Sequence, residues 1–128
     1  MAEAEIFCPV NPSEDPDKVR AAVESIFPGA ELEFDGKSFS GTASLDMFSK
    51  LIRRQRILDA VRGVLLANRR GNTTRMSLNK QVATVGKVSF ADRNPVLGAI
   101  EVTVSDGEIA ALIDRVAPMT VDGEEVAQ

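Results

Sequence analysis

The sequence predicts an α+β domain with two layers, in which helices cover one face of a mostly antiparallel sheet in the order β-α-β-β-α-β-β-α. Three observations support this class. Apolar residues recur at helical spacing in several segments, and short β-prone runs bounded by turn residues lie between them. The 128 residues also fit one domain that buries its own core. We expect residues 1–118 to form that domain and residues 119–128 to be a flexible tail.

The N-terminal segment predicts a strand followed by a helix. The run AEIFCPV is apolar and β-prone, so a largely buried strand is expected at about residues 4–10. Ser13 or Asp15 is suited to cap the helix, with Pro16 at a first helical position. Pro28-Gly29 then ends it.

A hairpin and a long helix are expected next. In AELEFDGKSFSG, Asp35-Gly36 suits a two-residue turn between strands with one apolar face. The helix should begin with Ser44 as its N-cap and run to about Ala67 before Gly71 ends it. Its first half has the pattern of a half-exposed helix with basic residues outward, whereas ILDAVRGVLLA is apolar almost all round. Periodicity does not settle where Arg62 points.

The C-terminal half predicts two strands and a last helix. GKVSFA (86–91) and LGAIEVTVS (97–105) read as strands separated by the turn-like DRNP. Before them, NKQVAT (79–84) suits either a short helix or an extended segment. Ser105-Asp106-Gly107-Glu108 has the form of a capping box, which predicts a helix that ends at Pro118.

The composition excludes several classes of function. The chain has no His, so neither a His-activated nucleophile nor a His-ligated metal is available, and its carboxylates lie in turns and helix starts where capping explains them. We expect no enzymatic activity, no metal and no cofactor. No apolar run approaches the ~18 residues of a membrane span, and the N-terminus lacks the pattern of a signal peptide. Cys8, the single cysteine, is expected to pack as a small hydrophobe in a protein of the reducing cytosol.

Charge is strongly segregated along the chain. The net charge is −4, yet residues 50–87 hold ten basic residues against Asp59 alone, so this segment carries +9 and the remainder −13. In GNTTRMSLNKQVATVGKVSF, residues 71–90, amide and hydroxyl side chains accompany the basic ones. Arg and Lys neutralise phosphates, while amides and hydroxyls contact sugars and base edges. The combination predicts a surface that binds nucleic acid, with RNA favoured.

Nine side chains are candidates for RNA contact. Seven are expected to contact phosphates: Arg53, Arg56, Arg69, Arg70, Arg75, Lys80 and Lys87. Asn79 and Gln81 are expected to contact sugar or base, although a buried amide pair that ties a loop to strand backbone gives the same sequence pattern. In the alternative interpretation, the basic segment docks an acidic protein partner or a second copy of the chain. A membrane surface is disfavoured, because no bulky aromatic face accompanies the basic positions.

The segment QRILDAVRGVLLANRRGNTTRMSLNKQVATVGKVSF, with LGAIEVTV and IDRVAP after it, resembles a small, largely uncharacterised archaeal family described as RNA-binding. The blocks that carry the resemblance are Gln55–Asp59, Gly71–Thr74, Leu78–Gln81, Val85-Gly86 and Ala117-Pro118. The likeness spans roughly residues 45–118, and the N-terminal third matches only in outline. It implies an archaeal cytoplasm, a structured or ribosomal RNA partner, no catalytic residues, and a fold similar to the large-subunit ribosomal protein that contacts 5S ribosomal RNA. A homodimer or a larger RNA-processing assembly stays open.

Overall fold

Five strands form one antiparallel sheet in the structure of the protein, a computed structural model that describes residues 3–93, 95, 97–121 and 124–125. They are β1 (Glu3–Pro9), β2 (Glu31–Phe34), β3 (Ser38–Ser44), β4 (Thr73–Leu78) and β5 (Ile100–Ser105). Their order across the sheet is β2-β3-β1-β5-β4, so the N-terminal strand lies at the centre. The helices are α1 (Pro16–Ile26), α2 (Asp46–Arg54), α3 (Leu58–Ala67), α4 (Lys80–Ala83) and α5 (Ile109–Val116). The predicted α+β class is confirmed, but the order of elements differs from the prediction.

The sheet has one apolar face and one polar face. On β1, Ala4, Ile6 and Cys8 are buried, while Glu5 and Phe7 alternate with them on the exposed side. Strands β4 and β5 show the same alternation, which is expected of a sheet covered on one side only. Each large apolar side chain buried under the helices contributes roughly 1.5–3 kcal/mol to stability. The core therefore lies between the inner face of the sheet and the helical layer.

The predicted N-terminal elements are confirmed with small changes. Asp15 is the N-cap of α1, where its carboxylate accepts a hydrogen bond from the Asp17 N–H at 2.9 Å. In the hairpin, Phe34 pairs with Phe39, so the connection is longer than the two-residue turn expected at Asp35-Gly36. The backbone N–H groups of Lys37 and Ser38 both donate to Asp35 Oδ1, and these bonds hold the pKa of Asp35 below its usual value.

The predicted long helix is wrong, because the chain breaks it into α2 and α3. The N–H of Ile57 donates to Ile52 O and the N–H of Arg56 donates to Arg53 O, both at 3.1 Å. This pair of bonds is the Schellman motif that ends helices, and it requires a left-handed residue, which here is Arg56 at φ +59°. Glycine is the usual residue at that position, so the sequence gives no sign of the break.

The strand β4 replaces the strand predicted at residues 86–91. The run TTRMSL buries Thr74, Met76 and Leu78 and turns the residues between them outward. Of the GKVSFA segment, only Phe90 forms a bridge, to Leu78. The short-helix alternative for residues 79–84 is confirmed by α4.

The last predicted helix is present, but its capping box is not formed. Asp106 Oδ1 accepts the hydrogen bond from the Glu108 N–H at 2.8 Å, whereas the Ser105 hydroxyl lies 3.0 Å from Thr73 Oγ1 on the neighbouring strand. The helix α5 ends at Val116, just before the predicted end at Pro118.

Part of the predicted tail has regular structure. Two short strands, β6 (Thr120–Val121) and β7 (Glu124–Glu125), pair in antiparallel fashion, and the Thr120 hydroxyl contacts the Asp59 carboxylate. Residues 122–123 and 126–128 lie outside the described residues.

We expect opposite effects of alanine at two glycines. At Gly41 of β3 an added Cβ would lie 1.7 Å from the Glu31 carbonyl oxygen, so Gly41→Ala forces β2 and β3 apart and should cost about 1–3 kcal/mol. At Gly63 of α3 an added Cβ meets nothing within 4 Å, so Gly63→Ala should add about 0.5–1 kcal/mol through helix propensity. Urea unfolding of the two variants measures both effects. A Gly41→Ala protein as stable as the parent would contradict the close approach.

Candidate nucleic-acid interface

The fold divides nine of the ten basic residues of the +9 segment into three sets, and the tenth, Lys50, is exposed on α2 outside them. We call Arg54, Arg56 and Lys87 the connector group, because they lie around the junction between α2 and α3. We call Arg69, Arg70 and Arg75 the turn group, because they surround the turn between α3 and β4. The side chains of Arg53, Arg62 and Lys80 form the third set and bond to other parts of the fold.

The connector group is assembled by one amide side chain. Gln55 Nε2 donates to Val88 O at 3.0 Å, and Gln55 Oε1 accepts from the Val88 N–H at 2.7 Å. This two-point bond holds the segment that carries Lys87 against the junction that carries Arg54 and Arg56. All three basic side chains are exposed, and within the described part of the chain they form no hydrogen bond or ion pair. Three uncompensated positive charges therefore share one region of the surface.

The turn group sits on a tight backbone reversal. The backbones of Arg70 and Thr73 exchange hydrogen bonds of 2.8 and 3.1 Å, and Gly71 between them has φ +60°. Gly71 therefore shapes this turn, whereas α3 ends earlier, at Ala67. Arg70 Nη1 donates to the Arg69 carbonyl at 2.8 Å, which leaves the rest of its guanidinium facing solvent.

A cleft of about 310 Å³ joins the turn group to the open side of the sheet. Arg70 and Arg75 line it together with hydroxyl side chains of Thr73 and Thr103. Asn68, also in its wall, donates from Nδ2 to the Arg75 carbonyl at 2.8 Å and so closes part of the free edge of β4. Guanidinium groups beside hydroxyl donors suit a phosphate oxygen.

Two arginines of the third set tie the helical layer together. Arg53, predicted to contact phosphate, contacts the Ser49 hydroxyl and donates from Nη2 to the Arg115 carbonyl at 3.1 Å. Arg62, whose direction the sequence left open, donates from Nη1 to Asp114 Oδ1 at 2.8 Å and to the Ala117 carbonyl at 3.1 Å. Both guanidiniums therefore fasten α5 to its neighbours.

The prediction that Lys80 contacts phosphate is wrong, because its ammonium is inside the protein. Lys80 is 3% exposed. Its Nζ donates to Pro9 O at 2.6 Å, to Leu97 O at 2.7 Å and to Glu14 Oε1 at 2.8 Å. An ammonium has three donors, and all three are used, so no donor is left for a ligand.

The two predicted amides have different surroundings. Asn79 is half-buried, and its Oδ1 accepts from the Val82 N–H at 2.9 Å as the N-cap of α4, which is a structural role. Gln81 is exposed, and its side chain makes no hydrogen bond within the described residues. Both side chains nevertheless line the same cleft, and Asp92 lines it too.

The outer face of the sheet is acidic. Glu5 on the central strand, Glu31 and Glu33 on β2 and Glu101 on β5 all point to this side, and Arg75 lies at its far margin on β4. Carboxylates repel phosphates, so this face disfavours RNA. The basic groups lie instead around α3 and the adjoining edge of β4.

Sequence reasoning missed Arg54. It chose Arg53 from the helical pattern of α2 alone, which does not show that α5 lies on that side and accepts a hydrogen bond from Arg53. The available signal was Gln55, an amide between two arginines at the point where the helical pattern changes from amphipathic to apolar.

Burial makes Cys8 unreactive. The thiol is fully buried under the helices, and this burial raises its pKa to about 11 from the ordinary 9.0. Across residues 3–93, 95, 97–121 and 124–125, no three His, Cys, Asp or Glu side chains are grouped to hold a metal ion. In that same part of the chain, none of the helices combines the length and apolar character needed to span a bilayer.

Comparison with known proteins places the chain among archaeal relatives. A sequence profile of a family described as "RNA binding" matches residues 3–105. A UPF0200/UPF0201 protein of Archaeoglobus fulgidus is 42% identical over 130 aligned positions, which cover 98% of this chain and 40% of that protein. A UPF0201 protein of Sulfurisphaera tokodaii is 37% identical, with 96% of this chain and 92% of that one covered. This chain thus spans less than half of the first relative and nearly all of the second.

The same likeness holds in three dimensions. The crystal structure of a UPF0201 protein from Methanococcus jannaschii superposes with a TM-score of 0.88 at 36% identity, covering 98% of this chain and 99% of that one. The predicted archaeal family is confirmed by these matches. The predicted likeness to the ribosomal protein that contacts 5S ribosomal RNA stays a prediction.

Exchanging two lysines for methionine should separate structure from surface charge. Lys80→Met leaves the Glu14 carboxylate and two carbonyl oxygens without their ammonium, so we expect a loss of about 3–5 kcal/mol in the free energy of unfolding. Lys87→Met, on an exposed side chain, should change it by less than about 0.5 kcal/mol. Chemical denaturation measures both. Equal losses in the two variants would argue against the buried role of Lys80.

The raised pKa of Cys8 predicts a pH dependence of stability. Because the folded pKa lies above that of the unfolded chain, the contribution is complete below about pH 9 and is lost as the pH rises toward 11. Cys8→Ala removes the titrating group, so its unfolding free energy should fall less steeply between pH 9 and 11 than that of the parent. Denaturant unfolding at both pH values compares the slopes. Parallel slopes would contradict the shift.

Proposed function

Because the chain belongs to the archaeal UPF0201 family and matches a profile described as RNA binding, we propose that it binds RNA through the connector group and the turn group, without catalysis, in the cytoplasm. The observation that carries this proposal is the Gln55–Val88 bond, which gathers three exposed positive charges that no carboxylate of the described chain neutralises. Such a cluster is costly to maintain unless an anionic partner completes it.

The backbone of Arg56 supports the same assignment. A left-handed conformation costs an L-residue roughly 1–2 kcal/mol, and glycine at this position would avoid that cost. The arginine side chain does not offset this cost, since it is exposed and forms no hydrogen bond within the described residues. A residue with a strained backbone whose side chain does not stabilise the fold is typical of a functional site.

The separation of the two groups sets the size of the ligand. They lie at opposite ends of α3, whose ten residues span about 15 Å at 1.5 Å per residue. A single nucleotide does not cover that distance. We infer that the ligand is a strand or helix of several nucleotides whose backbone follows α3 and the edge of β4.

The mode of binding differs from that of sheets that stack bases on their open face. That mode needs aromatic side chains on the outer face. Here Phe7 is the one aromatic residue on the described strands β1, β3, β4 and β5 that faces outward, and acidic side chains surround it. The phosphate backbone is therefore the expected main contact, and affinity should depend steeply on salt.

A second candidate partner is an acidic protein surface. The outer face of the sheet carries the acidic residues Glu5, Glu31, Glu33 and Glu101, and the same face of a second copy complements the connector group in charge. Self-association through that pair would compete with RNA. The mass of the protein at low and high salt, with and without RNA, distinguishes the two.

Substitutions at Arg56 test the proposal with folding held constant. Arg56→Gly relieves the left-handed backbone, so the protein should stay folded and be at least as stable as the parent, while RNA affinity falls and the slope of log K against log salt is reduced by about 0.7–0.9. Arg56→Lys keeps the charge and should keep the slope. Fluorescence anisotropy with labelled RNA at about 50 and 200 mM salt measures both.

A matched control uses a basic residue outside both groups. Arg115→Ala removes one exposed positive charge from α5 and should leave the salt slope as it is in the parent. Loss of RNA binding in this control equal to that in Arg56→Gly would mean that net charge, and not the connector group, determines binding.

A further inference from the structure

The cleft that contains Asn79 and Gln81 has features that phosphate binding does not explain. It measures about 370 Å³, within the roughly 300–1,000 Å³ of small-ligand sites, and it carries no basic side chain among its described lining residues. We propose that it receives one unstacked base of the bound RNA and so gives the protein a base preference. This inference rests on the proposed function, because it assumes that RNA reaches the neighbouring basic groups.

Three polar side chains converge on the cleft with hydrogen-bonding capacity to spare. Asn79 uses its Oδ1 in the cap of α4, but its NH₂ group has no partner among the described residues. Gln81 and Asp92 are both exposed, and their side chains make no hydrogen bond there either. The set offers amide donors, an amide acceptor and a carboxylate, which are the groups that recognise base edges.

The remaining wall is apolar. Ala91, Pro95 and Leu97 line the cleft and are half-buried, so they offer partly desolvated apolar surface to a ring. Apolar walls with a few convergent polar groups characterise sites for planar organic ligands. A phosphate, which is strongly hydrated, gains little from such walls.

The position of the cleft connects it to the connector group. The Asn79 N–H donates to the Ser89 carbonyl at 2.8 Å, and Ser89 directly follows Val88, which Gln55 holds. The cleft therefore opens beside the segment that carries Lys87.

The chemistry of Asp92 predicts which bases are preferred. A carboxylate accepts hydrogen bonds and donates none, so it favours a base with an exocyclic amino group. Cytosine, adenine and guanine have one, whereas uracil has none and presents two carbonyl oxygens, which the carboxylate repels, beside its single ring N3–H. We expect single-stranded RNA made of cytidine to bind on the order of tenfold more tightly than RNA made of uridine.

The test compares ten-nucleotide oligocytidine and oligouridine by fluorescence anisotropy at one salt concentration. Asp92→Asn replaces the carboxylate with an amide that serves either base, so the cytidine preference should fall to about one while the salt slope stays unchanged. Gln81→Ala, on the exposed face of α4, should reduce the preference with no change in melting temperature. Asp17→Asn is the matched control, because it removes one exposed carboxylate that is not among the described lining residues of the cleft, and it should leave the preference intact.

The outcomes separate the two proposals. Steep salt dependence with equal affinity for both oligonucleotides, or a preference that Asp92→Asn leaves intact, would overturn the base cleft and leave RNA binding in place. Absence of binding to either oligonucleotide and to structured RNA at about 50 mM salt would overturn both. A preference that Asp92→Asn and Gln81→Ala reduce, and Asp17→Asn does not, supports the cleft.

Discussion

The buried ammonium of Lys80 is the interaction on which the arrangement of the chain depends. It joins the end of β1, the loop before α1 and the segment before β5, at points beyond Phe7–Glu101, the last pair of the β1–β5 ladder. Taking a charge out of water is costly. Two hydrogen bonds to backbone carbonyls and one to the Glu14 carboxylate offset that cost, but only while all three segments stay in place. The position of α4 follows from this bond, since Lys80 is its first residue. The geometry of the candidate cleft and of the segment that carries Lys87, on either side of α4, therefore depends on Lys80, which has no donor left for a ligand.

A second dependence runs through the junction of α2 and α3. The left-handed Arg56 ends α2 and turns the chain directly after Gln55, whose side-chain amide bonds to the Val88 backbone. The Gln55 amide bonds to both the N–H and the carbonyl of Val88, so these groups do not join the sheet. Residues 86–91, whose composition favours a strand, therefore stay irregular beside it. One side chain thus decides both the absence of a strand and the grouping of three positive charges. Structure and candidate function are linked here by the same two hydrogen bonds.

Local signals in the sequence were sufficient for β1, α1, the hairpin, β5 and α5, because caps, turns and alternation lie within each segment. They failed at Arg56, where an arginine occupies a position that glycine usually marks, and at β4, where the polar Thr74 faces inward and hides the alternation. For the candidate site, the sequence located the basic segment, but it did not show which of its side chains are exposed and which bond to other parts of the fold. Lys80 bonds to Glu14, which is 66 residues away in the chain, and Arg62 bonds to Asp114, which is 52 residues away. Nothing in the local pattern distinguishes such a lysine or arginine from an exposed one.

The separation of charge gives the folded protein an electric dipole. Acidic strands lie on one side and the basic groups on another, so the molecule has a preferred orientation in the field of a polyanion before any contact forms. A polyanion that approaches the sheet is repelled, and one that approaches α3 and the edge of β4 is attracted. Under the proposed function, the field orients the encounter, and the acidic sheet points away from the RNA. A chain with an acidic isoelectric point, near 4.9, can in this way present one basic side to a single polyanion at a time.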